Sequence, residues 1–146
     1  MCEKIAELPL AVFFSKSNPL KEKDALRFED LDGQYLLCSS NAKLQTVFDG
    51  AIDALDRNGV RPKCRYRDFT DFDMIGFILE DDEIVFGNAA NILDSNVSAK
   101  LEGRLIDNGC ARYPIYVMYR KHPEREKVAD FVAICKRLAT AIQAEN

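Results

Sequence analysis

YLLCSSNAKLQTVFDGAIDALDRNGVRP, residues 35–62, carries in order an apolar run, three small polar residues, an amphipathic pattern and a stop signal. Residues 35–38 are apolar without interruption, the pattern of a strand covered on both faces. Leu44, Val47, Phe48, Ala51, Ile52 and Leu55 then recur at i, i+3, i+4, i+7, i+8 and i+11, which lays one apolar stripe along a helix over 44–57. Gly59 suits the left-handed position after a helix and Pro62 cannot continue one, so the helix ends at "NGVRP". A buried strand feeding an amphipathic helix is the building unit of an α/β fold.

Working outward, "LPLAVFFS" (8–15) reads as a buried strand closed by the turn-forming "KSNPL". Downstream, "KCRYRDF" predicts a strand, "DFDMIGFILE" a short helix, "EIVFG" a buried strand, and residues 89–95 a helical segment. "KLEGRLI" and "YPIYVMYR" are the last predicted strands. "HPEREKVADFVAICKRLATAIQ" closes the chain as a helix with Pro123 in its first turn. Its predicted core face is Val128, Phe131, Val132, Cys135, Leu138, Ala139 and Ile142. Strands alternating with helices imply crossover connections, hence a mostly parallel sheet with helices on both faces. No internal repeat or low-complexity linker interrupts the pattern.

The 146 residues suffice for one well-cored unit, and 47% apolar with 30% charged residues is ordinary for a globular protein. A net charge of −4 argues against a surface built to neutralise phosphates, so this chain by itself is not expected to grip DNA. Five widely spaced cysteines, at 2, 38, 64, 110 and 135, read as reduced thiols of a cytoplasmic protein. "MCEKIAELPL" lacks the charged-then-apolar pattern of an export signal, and no apolar run approaches the about 20 residues a bilayer span needs. Neither export nor membrane insertion is expected.

The polar trio Ser39, Ser40 and Asn41 admits three readings. A serine nucleophile needs an oriented base, normally histidine, and a Gly-x-Ser-x-Gly elbow. Neither is present: the one histidine, His122, stands before Pro123 in a charged run and reads as a solvated helix-entry residue. The second reading is a helix cap, for which Ser and Asn are favoured because their side-chain oxygens accept from first-turn amides. One residue fills that role, and three leave donors over for a carboxylate or other small anion at the positive end of the helix, the third reading.

Metal and cofactor signatures are missing. There is no Cys-x-x-Cys pair, no histidine partner, no phosphate loop and no Gly-x-Gly-x-x-Gly. "EDDE" (80–83) lacks the pattern of a calcium loop and reads as a solvated turn. Asp68, Asp71 and Asp73 cluster in "DFTDFD" (68–73), at the end of a predicted strand. They leave open a small-molecule enzyme with an acidic base, although carboxylates there also complement a helix dipole.

Four segments, in order, resemble the effector-binding domain of LysR-type transcriptional regulators: "LPLAVFFSKSNPLKEKDALRFEDLDGQYLL", the helix ending "ALDRNGVRP", "DMIGFILEDDEIVFGN", and "YPIYVMYRKHPEREKVADFVAICKRL". Two departures stand out. Asp81, Asp82 and Glu83 replace the glycines the family shows before its strand, with Asn88 near the position of the family's proline. The family's N-terminal helix-turn-helix and the first half of its first lobe also have no counterpart in these residues. The resemblance implies a periplasmic-binding-protein-like architecture of type 2. In it residues 16–88 form the second lobe, while 1–15 and 89–146 supply hinge strands and the remainder of the first. It further implies a small effector bound by Ser39, Ser40, Asn41, Thr70, Asp71 and Asn88, no catalysis, no metal or cofactor, homo-oligomeric pairing through the helix 44–57, and DNA contact only through a helix-turn-helix that this chain lacks. A stand-alone ligand-binding protein is the remaining alternative.

Overall fold

The computed structural model describes residues 2–109, 111–119 and 126–144, so Cys110, His122 and Pro123 lie outside the described residues, as does the side chain of Ile142. The chain forms two compact units, a core unit of residues 9–111 and a terminal unit of residues 1–8 and 112–146.

In the core unit the quoted stretch folds as read. Strand β2 (Tyr35–Ser39) is followed by helix α1 (Gln45–Arg57), and Gly59 takes a positive φ of 78° just past the helix end. The amide of Val60 donates to the carbonyl of Leu55 and that of Gly59 to Asp56, each at 3.0 Å. These two bonds satisfy the last carbonyls, and Leu55 and Val60 are both buried beside them. Phe48 and Leu55 carry the buried stripe of α1, Leu44, Ala51 and Ile52 are half-buried, and Val47 stays 46% exposed.

The other elements are β1 (Cys2–Ser15), which enters the core unit at Pro9, then β3 (Lys63–Arg67), α2 (Phe72–Ile78), β4 (Glu83–Asn88), α3 (Ala89–Ile92), α4 (Ser95–Ser98) and β5 (Leu101–Leu105). Strand order is β3-β2-β4-β1-β5. Ala11 to Phe14, Leu36 to Cys38, and Ile84 with Val85 are fully buried, the continuous apolar runs of strands covered on both faces.

The sheet is mixed rather than mostly parallel. β2 pairs in parallel with β3 and β4, but β1 runs antiparallel to both β4 and β5. The parallel rule applies to strands joined by a covering helix. Residues 16–34, which join β1 to β2, contain only two short 3-10 turns, Pro19–Glu22 and Phe28–Leu31. Fully buried Asn18 organises that connection: its Oδ1 accepts from the Leu20 amide at 2.9 Å and its Nδ2 donates to Gln34 Oε1 at 2.8 Å. The predicted helix 89–95 divides into α3 and α4, because Asp94 accepts from the Asn96 amide at 2.8 Å and starts a new helix.

The packing about Phe13 leaves no room for a side chain at two glycines. A Cβ on Gly103 would lie 2.7 Å from Phe13 Cε1, and one on Gly87 would lie 2.8 Å from Phe13 Cε2. Phe72 of α2 meets the same ring edge-on, with centroids 5.1 Å apart.

The terminal unit consists of the first residues of β1, strand β6 (Arg112–Met118), which pairs with β1, and helix α5 (Glu126–Ala144). β1 starts at Cys2, six residues before the apolar run that predicted it, because half-exposed residues 2–7 pair as strand without an uninterrupted apolar pattern. On α5 the expected core face needs correction. Val132 is buried and Val128, Cys135 and Ala139 are half-buried, whereas Phe131 and Leu138 are 57% and 59% exposed. The apolar arc of α5 is wider than one packing face, and only the 128/132/135/139 row is covered. Lys136 and Tyr119 both hydrogen-bond Glu3, tying α5 and the end of β6 to β1. Among the described residues no helix is long and apolar enough to cross a membrane.

Candidate functional site

The parallel strands β3, β2 and β4 end along one edge of the core sheet, the edge where α/β proteins bind ligands. The ladder between β2 and β3 pairs Ser39 with Arg67 and continues one step further, through the Ser40 amide to the Arg67 carbonyl at 2.9 Å. Ser39 is buried, at 3% exposure. Its Oγ donates to the carbonyl of Phe69 at 2.6 Å and accepts from the Asn41 amide at 3.1 Å. One hydroxyl thus ties the turn after β2, which carries Ser40 and Asn41, to the loop after β3, which carries Thr70 and Asp71. Phe69 seals the junction by packing edge-on against Phe48, with centroids 5.7 Å apart.

The trio does not cap α1. Asn41 Oδ1 accepts from the Lys43 amide at 3.0 Å, which shapes the turn over residues 42–44, and the N-cap position falls to Leu44, without a side-chain hydrogen bond. The helix therefore starts too far along the chain for Ser39, Ser40 or Asn41 to reach its first amides, and its positive end carries no side-chain cap. Beside it opens a cavity of about 210 Å³ lined by Ser39, Ser40, Gln45, Phe48, Asp49, Ile52 and Tyr66. Thr70 Oγ1 donates to Asp71 Oδ2 at 3.2 Å. Asn88 ends β4, where its Oδ1 accepts from the Ala90 amide and its own amide donates to Asn91 Oδ1, both at 3.0 Å. Its side chain is committed to starting α3. Among the described residues no hydrogen bond joins it to the other five. A larger hollow, about 630 Å³, is built from Lys23, Asp24, Arg27, Glu29, Asp30 and Asp107 and shares no lining residue with the cavity at Ser40.

Sequence reading missed the lining residues Gln45, Asp49 and Tyr66. The spacing of Gln45, Asp49 and Ile52 along α1 was a signal that could have found three of the lining positions, since i, i+4 and i+7 share a helix face. It also missed an ion cluster. Arg65 and Arg67 alternate onto one face of β3, where Arg67 meets Glu83 at 2.6 Å and Glu80 at 2.9 Å, and Arg65 grips Asp82 through two bonds of 2.8 and 3.0 Å. The Arg65 guanidinium also stacks on Tyr35, 3.7 Å from the ring centroid. "EDDE" keeps an exposed turn at Asp81 and Asp82 between α2 and β4, but its last carboxylate is not solvated: Glu83 is fully buried and its oxygens also accept from the Glu80 amide at 2.9 Å. Burial pushes the Glu83 carboxyl up, but hydrogen bonds from Arg67, the Glu80 amide and Arg65 outweigh it and hold the group below the usual glutamate range.

Cys2, Cys38, Cys64 and Cys135 are free thiols. Cys38 and Cys64 lie on neighbouring strands, and burial, with Cys64 adding to it, pushes the Cys38 thiol up to about 12. A thiol so placed stays protonated and unreactive.

No protein-family model matches the sequence, and no curated protein matches it. Solved structures do. The effector-binding domain of BenM with its effector benzoate superposes with a TM-score of 0.74 at 18% identity, over 100% of this chain and 65% of that one. CbnR, a LysR family transcriptional regulator, gives 0.72 at 17% identity over 95% of this chain, and the reduced OxyR regulatory domain from Pseudomonas aeruginosa gives 0.70 at 16% over 94%. The chain spans 47% of the CbnR chain and 65% of the OxyR one, so it corresponds to part of each. At these identities the likeness establishes architecture: the chain has the α/β, type 2 periplasmic-binding-protein-like fold of LysR-type effector-binding domains.

Proposed function

We propose that the chain is the effector-binding module of a LysR-type transcriptional regulator, with residues 16–88 as its second lobe and a small ligand seated at the carboxyl edge of β2 and β3. The observation that carries this reading is the cavity at Ser40, open beside an uncapped helix N-terminus, in a fold whose BenM counterpart is solved with a carboxylate effector. The ligand is a carboxylate or another small anion. Its negative end meets the Ser40 hydroxyl and the first-turn amides of α1, and its apolar body meets Phe48, Ile52 and Tyr66. Asp49 and Gln45 accept from a donor group, which favours an amino acid over a plain acid. Ser39 lines the site and holds its two loops together, whereas Asn41, Thr70, Asp71 and Asn88 are not among the residues that line the cavity. The mechanism is a population shift, in which a ligand that binds one arrangement better biases the regulator between DNA-bound states. DNA contact belongs to a helix-turn-helix outside this chain, pairing of the domains uses α1 around exposed Val47, and the setting is the cytoplasm.

The test is a thermal-shift and calorimetric screen of amino acids, small carboxylates and aromatic acids including benzoate. A true effector at a hundred times its Kd stabilises the fold by about 2.7 kcal/mol, and Ser40→Ala weakens it about tenfold by removing one hydrogen bond to a charged group. Failure of the whole panel to stabilise the protein, or full binding by Ser40→Ala, refutes the site. An enzyme using Asp68, Asp71 or Asp73 as base has no comparable observation in its favour.

A further inference from the structure

Of the described residues that line the cavity at Ser40, Asp49 alone is charged, and no lysine or arginine is among them. Asp49 stands exposed on α1 and makes no ion pair with another described residue. Its charge is felt on the neighbouring strands. Burial and then Cys64 push the Cys38 thiol up, and the Asp49 carboxylate adds to them; the Tyr66 phenol is pushed up by Cys64, Cys38 and burial, and again by Asp49. The cavity therefore joins a helix N-terminus, which attracts an anion, to a carboxylate that repels one.

Resting on the effector reading above, we propose that the ligand of this site is a zwitterion, a single amino acid with an apolar side chain, and that Asp49 selects it over the plain carboxylic acid of the same size. Drug-sized ligands occupy about 300–1,000 Å³, so a cavity of about 210 Å³ admits a smaller body, and Phe48 and Ile52 give it an apolar wall. The ligand carboxylate rests on the first-turn amides of α1. Asp49 follows Gln45 by one helical turn, about 6 Å along the axis, and helix side chains lean back toward the N-terminus, which brings the Asp49 carboxylate toward that anion. A bare carboxylate seated there meets the Asp49 charge with no cation on the cavity wall to offset it. An ammonium on the neighbouring carbon answers that charge, and the Gln45 side-chain oxygen accepts another of its protons. The same residue thus attracts one ligand and repels the other, which is how a single position sets specificity.

Calorimetry with matched pairs, alanine against propionate, valine against isovalerate and phenylalanine against hydrocinnamate, reads the preference directly. Asp49→Asn is the test variant, and Asp53→Asn removes an exposed α1 carboxylate that does not line the cavity. Circular dichroism checks that both variants fold. The amino acid of at least one pair should bind about tenfold more tightly than its acid, by a margin that shrinks as salt rises. Asp49→Asn should bring that pair level, weakening the amino acid and tightening the acid, whereas Asp53→Asn should leave the preference within about twofold of wild type. An acid that binds the wild-type chain as tightly as its amino acid, with Ser40→Ala weakening both, keeps the site and overturns the zwitterion. A preference that survives Asp49→Asn overturns the role of that residue. If no member of any pair binds, the site and the zwitterion fall together.

Discussion

Replacing Ser39 by alanine removes one oxygen that stands between two loops. Its hydroxyl gives its proton to the Phe69 carbonyl and receives the Asn41 amide. The two partners lose unequally. Asn41 is half-buried, so its amide can turn to water, whereas Phe69 is 3% exposed and its carbonyl is left without a donor. A buried polar group stranded in this way costs about 1–3 kcal/mol, and partial relaxation of the loop places the expected loss near the lower half, about 1–2 kcal/mol. With a urea dependence of about 1–3 kcal/mol per molar, the unfolding midpoint of Ser39→Ala falls by about 0.5–1 M. Amide exchange should accelerate over residues 40–44 and 68–71 and leave β1 and β4 unchanged, because the tether holds those two loops and nothing in the central strands. Ser40→Ala is the control: Ser40 is exposed, so its stability stays within about 0.5 kcal/mol of wild type while ligand binding weakens. A midpoint for Ser39→Ala within about 0.2 M of wild type, with unaltered exchange, would refute the tether.

The buried Glu83 predicts an acid-sensitive core unit. Its folded-state carboxyl titrates below the unfolded one, so its stabilisation is present in full above the ordinary glutamate range and is lost as pH falls through the lower folded value. Glu83→Gln should therefore flatten the acid limb of a stability-against-pH curve, and an unchanged slope would count against the cluster. Gly103→Ala drives a Cβ into the Phe13 ring and costs about 1–3 kcal/mol by overpacking; adding Phe13→Leu should recover part of that loss, and strict additivity in chemical denaturation would argue that the two sites do not touch. Maleimide at pH 8 should modify exposed Cys2 in the folded protein and reach Cys38 only on unfolding, whereas equal labelling rates would contradict the burial of β2.

What could be read from the residues alone follows the range of the interaction concerned. The strand-helix unit at 35–57 was legible because it is written in local periodicity, and the end of α1 because Gly59 must take a positive φ. Strand direction was not: antiparallel β1 has the same apolar run a parallel strand would have, and only the helix-free connection 16–34 decides it. In "EDDE" the exposed turn was legible but the burial of Glu83 was not, for the same reason. Glu80, Asp82 and Glu83 are matched by Arg65 and Arg67, 13 to 18 residues earlier, and an acidic run with distant partners looks identical to a fully solvated one.

The candidate site shows that division within three adjacent residues. Position at a strand's carboxyl end was legible for Ser39, Ser40 and Asn41 alike, but their chemistry was not, because it is set by which backbone groups each meets. Ser39 is taken by a carbonyl 30 residues away and Asn41 by an amide two residues on. The capping reading failed because the turn at 42–44 places α1 beyond their reach. That same turn leaves the helix end open and puts Ser40 on the wall of the adjoining cavity. The proposed ligand site is therefore a by-product of how its neighbours satisfy the backbone. Stability and binding should separate accordingly, with Ser39 and Asn41 governing the fold of the loops and Ser40 governing what they hold.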